Sequence, residues 1–457
     1  MFNLSQQFVS VMAVLMIFVV SGCGTSTSSS TDDSTTAQTN TANETSLGEC
    51  PAGTDSVGDL CAISGTVLED IVFTAGRDYL LQGPVFIGDG ETEVTLTIDP
   101  GVTIYGEKNN TSPGALIIMQ NAKINAEGTK DQVIVFTSDQ LDGQKARGDW
   151  GGIIINGKAP INCPDKKGKD FCEAQGEGDT GIYGGDEPED SSGILKYVRV
   201  EFGGIQFSED NELNGIAFQG VGSGTVVDYV QVHMNRDDGI EFFGGTVNAK
   251  HIVLTGTGDD SLDWTYGWTG KAQFIMAKLA PDAGDQGIEA DNHGDANDAE
   301  PRSNPTLANL TFIGHADADI GLLLREGSSA SIANSVFVGF GDACFAVDQE
   351  ETYKNGCGMD MSSIQLTNVI FDCETPFEAL DPMADYTPDC SAEDLFTRDG
   401  SNQTAETKLE NYTPGTNSPL VGASAAFEND DFFETVDFIG AVSADDDWTA
   451  GWTVGLD

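Results

Sequence analysis

Basic residues are scarce in this chain. Lysine and arginine together number 21 against 74 aspartates and glutamates, a formal charge of −53. Nucleic-acid binding relies on cationic side chains that neutralise phosphates, so that class of partner is excluded. Histidine is rarer still, with 4 in 457 residues. His233, His251 and His315 stand singly and read as structural, whereas His293 lies in an acidic loop. Prolines number 15 against 55 glycines and a hydrophobic content of 39%, which excludes a largely disordered chain. Long amphipathic windows of helical period are absent, which excludes a helical bundle. HExxH, Gly-x-Ser-x-Gly, Walker and CxxC patterns are also missing, so zinc-protease, α/β-hydrolase, nucleotide and dithiol chemistry lose their usual signatures.

What the chain does have is a repeated acidic phrase. It occurs as Arg236-Asp237-Asp238-Gly239-Ile240-Glu241, Gly258-Asp259-Asp260-Ser261-Leu262-Asp263 and Gly284-Asp285-Gln286-Gly287-Ile288-Glu289. The step from Gly239 to Ser261 is 22 residues, and from Ser261 to Gly287 it is 26. A near-constant step of this size marks a solenoid that stacks like residues over like. Two strand series interleave at the same interval. One starts at Lys196, Asp228, Lys250, Ala272, Asn309, Asn334 and Asn368; the other at Gly215, Gly239, Ser261, Gly287, Gly321 and Ala343. The expected fold is all-β, a right-handed parallel β-helix over 50–420, with part of an N-terminal cap in Cys50–Thr66 and a C-terminal cap over 421–457. Asn309, Asn334 and Asn368 fall at equivalent turn positions and suggest an asparagine ladder.

Strand alternation turns Ile240 and Phe242 inward and Glu241 outward. The repeat then predicts three outward columns: Glu241, Asp263, Glu289, flanked by Ala217 and Leu323; Asp237, Asp259, Asp285, Asp319; and Asn214, Asp238, Asp260, Gln286. Like charges about 5 Å apart repel by roughly 3 kcal/mol at an effective dielectric near 20, so such columns need relief. A bound cation supplies it, and clustered carboxylates are what calcium prefers, with Asp237, Asp259, Asp285, Glu241, Asp263 and Glu289 as the candidate ligands. Protonation supplies it too, and a held proton is the precondition for general acid catalysis. Splaying into screened solvent is the third route.

The catalytic reading rests on a further resemblance. Asn235-Arg-Asp237 and Asp259-Asp260 are similar to phrases in polygalacturonase-like β-helix hydrolases, which implies Asp238, Asp260 and His293 as candidate catalytic residues. The Gly-His-Gly of those enzymes is replaced here by Asp291-Asn-His293-Gly-Asp. A lyase would need a base beside calcium, for which Arg236 and Arg325 are the candidates. Trp264, Trp268 and Tyr266 are placed to stack on sugars, although alternation turns Trp264 inward. Arg147-Gly148-Asp149 spells an integrin motif but adjoins Trp150 and reads as packing.

The N-terminus carries an address. Phe8 to Val20 is apolar except for Ser10, too short to span a membrane comfortably and suited to a signal peptide over 1–22. It ends in Val20-Ser21-Gly22-Cys23, which resembles a bacterial lipobox and implies lipidation of Cys23, although the first seven residues lack Lys and Arg. Residues 23–49 read as the lipidated cysteine and a Ser/Thr-rich tether. The remaining cysteines fall in close pairs, Cys50/Cys61, Cys163/Cys172, Cys344/Cys357 and Cys373/Cys390, and local pairing is the simplest of the many connectivities. The phrases Cys61-Ala-Ile-Ser-Gly-Thr, Arg147-Gly-Asp-Trp-Gly-Gly-Ile-Ile-Ile-Asn-Gly, Tyr197-Val-Arg-Val-Glu-Phe and Phe243-Gly-Gly-Thr-Val-Asn resemble a family of secreted Gram-negative lipoproteins without an established activity. That resemblance implies a β-helical surface protein and supplies no catalytic residues. The expectation is an outer-membrane lipoprotein, held by lipid on its periplasmic or outer face, that binds a polysaccharide or an outer-membrane receptor with calcium. A glycan-degrading hydrolase or lyase is the second expectation and a structural spacer or adhesin the third.

Overall fold

The computed structural model describes residues 49–456, apart from 110, 209–210, 359–362, 381, 383, 385, 423 and 426–429. The signal segment, Cys23 and most of the tether lie outside the described residues. Parallel strands wind into one long β-helix, as the repeat predicts. The first turn is closed by Asp55–Val57, which pairs antiparallel with Leu60–Val67. No helix among the described residues is long and apolar enough to cross a membrane.

Both expected strand series are present. Short strands Ile216–Gln219, Ile240–Phe243, Leu262–Thr265, Ile288–Ala290, Ile320–Leu324 and Ala343–Val347 pair in register, each beside the next. Longer strands form the second face, from Gly193–Glu201 to Ile364–Asp372. Register stacks alike side chains inside. Phe218 and Phe242 lie 5.2 Å apart and Phe312 and Phe337 5.4 Å apart, all fully buried. Each such ring is worth roughly 1.5–3 kcal/mol on burial, which makes the stack the main driving term.

Every long strand carries one residue in the left-handed region at the same position. In sequence these are Tyr197, Tyr229, His251, Phe274, Asn309, Asn334 and Asn368, with φ between 47° and 62°. The expected asparagine column is thus the later half of a longer one. Only part of it is a ladder: Asn368 Nδ2 reaches Asn334 Oδ1 at 3.4 Å, while Asn309 donates instead to the Phe438 carbonyl at 3.1 Å. In the earlier half, aromatic stacking replaces amide bonding, with Tyr197 and Tyr229 at 4.4 Å and Tyr229 and His251 at 4.2 Å.

The C-terminal end departs from expectation. The open end of the solenoid is covered by residues 390–404, assigned above to the body. There a short helix, Ala392–Thr397, buries Leu395 and Phe396, with Phe396 stacked on Phe371 at 4.5 Å. Residues 430–456 instead run along the flank, back over the left-handed column. Phe438 meets Phe274, Trp448 meets His251 at 5.0 Å, and Trp452 meets Tyr197 at 5.6 Å. The two tryptophans find aromatic partners on that flank, in Tyr197, Tyr229 and His251.

Two disulfides also depart. Cys50–Cys61 and Cys163–Cys172 form locally as expected, but the other four cysteines join as Cys344–Cys373 and Cys357–Cys390. The helix Glu350–Cys357 carries Cys357 away from Cys344, which lies buried on its strand within reach of the chain leaving the next long strand at Cys373. A peptide map under non-reducing conditions is expected to yield linked fragments for Cys344–Cys373 and Cys357–Cys390. A Cys344–Cys357 fragment would contradict this topology.

Candidate metal centre

The acidic strands are only three or four residues long, and the turn before the second is set by close backbone contact. A side chain at Gly258 would place its Cβ 1.9 Å from the Arg236 carbonyl oxygen, so the second phrase requires glycine there. With the turn fixed, alternation sends Ile240, Leu262 and Ile288 into the core and Glu241, Asp263 and Glu289 out. The pairing register confirms the predicted column and its flanks. It reads Phe86, Ile117, Ile154, Ala217, Glu241, Asp263, Glu289, Leu323, Ala346.

Outward does not mean exposed here. Glu241 and Asp263 each retain only 8% exposure. Over the apolar part of the column, Ile161, Cys172 and Tyr183 of an inserted loop pack on Ile117, Ile154 and Ala217. Around the acidic part stand Glu177 and Glu212, whose charges act on Asp237 and Glu241, and Tyr266 with His293 against its ring edge at 5.0 Å. Neither loop glutamate belongs to the repeat, and no periodic signal in the sequence could have found them.

The column Asn214, Asp238, Asp260, Gln286 has a structural task. The Asp260 N–H donates to Asp238 Oδ1 at 3.0 Å, the Gln286 N–H to Asp260 Oδ1 at 2.7 Å, and the Ile320 N–H to Gln286 Oε1 at 2.9 Å. Asp238, Asp260 and Gln286 thereby each clamp the backbone of the following coil. Asn214 Nδ2 donates to Glu241 Oε2 at 2.5 Å.

Carboxylate oxygens converge in four overlapping groups, each within 4.8 Å: Glu212, Asp237, Asp259; Asp238, Glu241, Asp263; Asp259, Asp260, Asp285; and Asp260, Asp263, Glu289. All six predicted metal ligands are therefore brought together, joined by Asp238, Asp260 and Glu212. Asp263 Oδ1 is buried and has no hydrogen-bond partner. Asp319 of the predicted outer column is not part of any group, among the described residues.

Burial is the first cause of an upward pKa shift across the cluster, and neighbouring carboxylates add to it. Asp237 is pushed up to about 8 by burial and by Glu212 and Asp259. Glu289 also reaches about 8, through burial and Asp291, with Arg325 pulling the other way. Glu177 rises to about 7 and Asp285 to about 6. Burial holds Asp238, Glu241, Asp260 and Asp263 well above the usual carboxylate range; the chief neighbours are Asp260, Asp238, Glu289 and Glu241 respectively.

One cation of the protein's own enters this region. Arg325 Nε donates to Asp291 Oδ1 at 2.8 Å and Nη2 to Asp291 Oδ2 at 3.0 Å, and Nη2 also pairs with Glu289. Burial works to lower its pKa, but these bonds raise it overall, so the guanidinium stays charged and is poorly suited to act as a base. Arg236 is exposed at the edge of its turn. His293 lies beside the cluster rather than in it, and its Nδ1 accepts the Asp295 N–H at 3.2 Å. Trp264 and Trp268 are fully buried and bonded inside the solenoid, to Ser328 Oγ and the Val247 carbonyl, so they do not offer a sugar-stacking face. Asp149 of the Arg-Gly-Asp phrase is bound by Ser138 and by Lys108, each at 2.6 Å, which is the packing role expected.

A parallel β-helix with a continuous acid belt on one outer face is the class this geometry defines. The chain belongs to the pectate-lyase-like beta helix domain family, whose sequence profile spans residues 65–453. No curated protein and no solved structure matches the chain.

A pH dependence follows. A carboxyl group that binds its proton more tightly folded than unfolded stabilises the fold at low pH, and that stability drains as pH rises through the folded value. For Asp237 and Glu289 the loss runs from about pH 4, the unfolded value, to about pH 8. Cation-free protein is expected to melt at a lower temperature near pH 8.5 than near pH 5.5, and Asp237→Asn to flatten the drop. A melting temperature that climbs across this interval would contradict the assignment.

Proposed function

We propose that this chain is a calcium-dependent polysaccharide-binding β-helix, held at the outer membrane by a lipid on Cys23. The observation that carries the reading is the buried group Asp238, Glu241 and Asp263, whose oxygens lie within 4.8 Å, with Asp263 Oδ1 left unpaired. Leaving a buried polar atom unbonded costs about 1–3 kcal/mol, and more for a charged one, so a ligand at that oxygen is favoured. The donor set is all oxygen, which suits calcium and disfavours zinc or copper. Glu241, Asp263 and Asp238 would hold an inner ion, and Asp237, Asp259 and Glu212 an outer one. Calcium supplies positive charge that the guanidinium of Arg325, paired with Glu289 and Asp291, does not bring to the other carboxylates. The polysaccharide part of the reading draws on the family to which the chain belongs.

A hydrolytic role for Asp238 and Asp260 is the second reading, favoured by their raised proton affinity. Against it, one oxygen of each already clamps the next coil. A lyase reading is weaker still, since of its two candidate bases Arg325 is tied to two carboxylates and Arg236 stands exposed at the edge of its turn.

Calorimetric titration of chelator-treated protein with calcium chloride tests the proposal. Binding heat is expected for the native sequence, with affinity at least about tenfold lower in Asp263→Asn, a loss of about 1.4 kcal/mol. A flat thermogram for the native sequence would overturn it. The anchor is tested separately by labelling with a fatty-acid analogue, which Cys23→Ala should abolish.

A further inference from the structure

The clamp that joins the acidic coils fails at its first member. Asp238, Asp260 and Gln286 each accept a backbone N–H of the next coil through a side-chain oxygen. Asn214 begins the same column, yet its Oδ1 is buried with no hydrogen-bond partner among the described residues. The residue is 1% exposed, so solvent does not relieve that oxygen. The amide is held from its other end, where Nδ2 donates to Glu241 Oε2 at 2.5 Å. Turning it over would break this bond and set its oxygen against a carboxylate. A buried acceptor left unbonded in this way costs stability, and the ordinary rung would have removed the cost.

Two orphan oxygens therefore border one group of carboxylates. The other is Asp263 Oδ1, and Asp263, Asp238 and Glu241 bring one oxygen each to within 4.8 Å of one another. Asn214 adjoins that group through Glu241. Calcium takes about six to eight oxygens and accepts neutral carbonyl-type oxygens beside carboxylates. One oxygen of Asp238 is already committed to the Asp260 N–H. Water has little room to complete the shell, because Glu241 and Asp263 are each 8% exposed. The three carboxylates already carry more charge than a divalent ion offsets, so a further donor is favoured when it is neutral. Asparagine meets that condition where the next two members of its column, Asp238 and Asp260, are acidic. A single amide then serves twice, with Nδ2 steadying Glu241 and Oδ1 left for the ion.

We propose that Asn214 is a ligand of the inner ion, giving Oδ1 as a neutral oxygen to the cation held by Asp238, Glu241 and Asp263. The inference rests on the calcium reading above and adds to it a residue that carries no charge of its own.

Europium(III) chloride is the probe. It replaces calcium at oxygen sites, and its luminescence lifetimes in water and deuterium oxide count the waters bound to it. Calcium calorimetry and thermal melts are run on the same chelator-treated proteins. Asn214→Ala is expected to gain about one bound water over the native sequence and to lose roughly tenfold in calcium affinity. An ion in the outer group contributes the same waters to every variant, so the difference reports the inner one. Asn214→Asp keeps an oxygen at the position and loses the donor. It is expected to hold the native water count, with a calcium-induced rise in melting temperature at least as large as the native one. A role confined to steadying Glu241 gives another pattern, in which Asn214→Asp binds as poorly as Asn214→Ala. That pattern overturns the inference and leaves the calcium site standing. So does an unchanged water count in Asn214→Ala. Should the melts show that Asn214→Ala does not fold, Asn214→Asp decides alone, and a gained water there overturns the inference. Absence of calcium binding by the native sequence removes the site and the inference together.

Discussion

Parallel stacking fixes this molecule's behaviour. Each coil hydrogen-bonds to the next at about 4.8 Å, so a residue type repeated in sequence becomes a row in space. Inside the solenoid this is favourable, because Phe218 over Phe242 buries apolar area with little reorganisation. Outside, the same register forces Glu241, Asp263 and Glu289 together at a repulsion of roughly 3 kcal/mol per ionised pair. The fold cannot slide a coil to escape, since moving the strand by one residue would turn Ile240 and Phe242 out of the core. Protons or cations must therefore absorb what the register imposes.

The side chains of Asp238, Asp260 and Gln286 show how local chemistry reinforces that register. Each accepts a backbone N–H of the coil that follows, so polar residues in the turn act as rungs between coils. Aspartate and glutamine serve equally because one carbonyl-type oxygen is all the rung needs. The negative charge on the two aspartates is thus more than the clamp requires, which is why the belt reads as a site and not only as a turn motif.

How much of this could be read from the sequence depends on whether a feature repeats. The column Glu241, Asp263, Glu289 and its flanks Ala217 and Leu323 recur at the coil interval, and so were legible with their register. Glu177 and Glu212 reach the cluster through irregular segments, where no period relates residue number to position. The burial of the column was missed for the same reason, since the loop carrying Ile161 and Tyr183 has no counterpart on other coils. Pairing cysteines by nearness failed at Cys344 and Cys357 because the helix Glu350–Cys357 intervenes and spatial neighbours in a solenoid are a full coil apart. The tail was placed at the open end on the general need for a cap, but Trp448 and Trp452 found an aromatic flank that only three-dimensional stacking creates.

A stack of coils ordinarily comes apart like a zipper, one repeat at a time from whichever end is weaker. Here residues 430–456 tie Tyr197 to Asn334 from outside, through Trp452, Trp448, Phe438 and Gly440. No coil between those two can peel away until the outer chain lets go of all of them. The middle of the solenoid is thereby converted from a series of neighbours into one cooperative block, and a pull applied at the N-terminal side would meet it as a single mechanical unit.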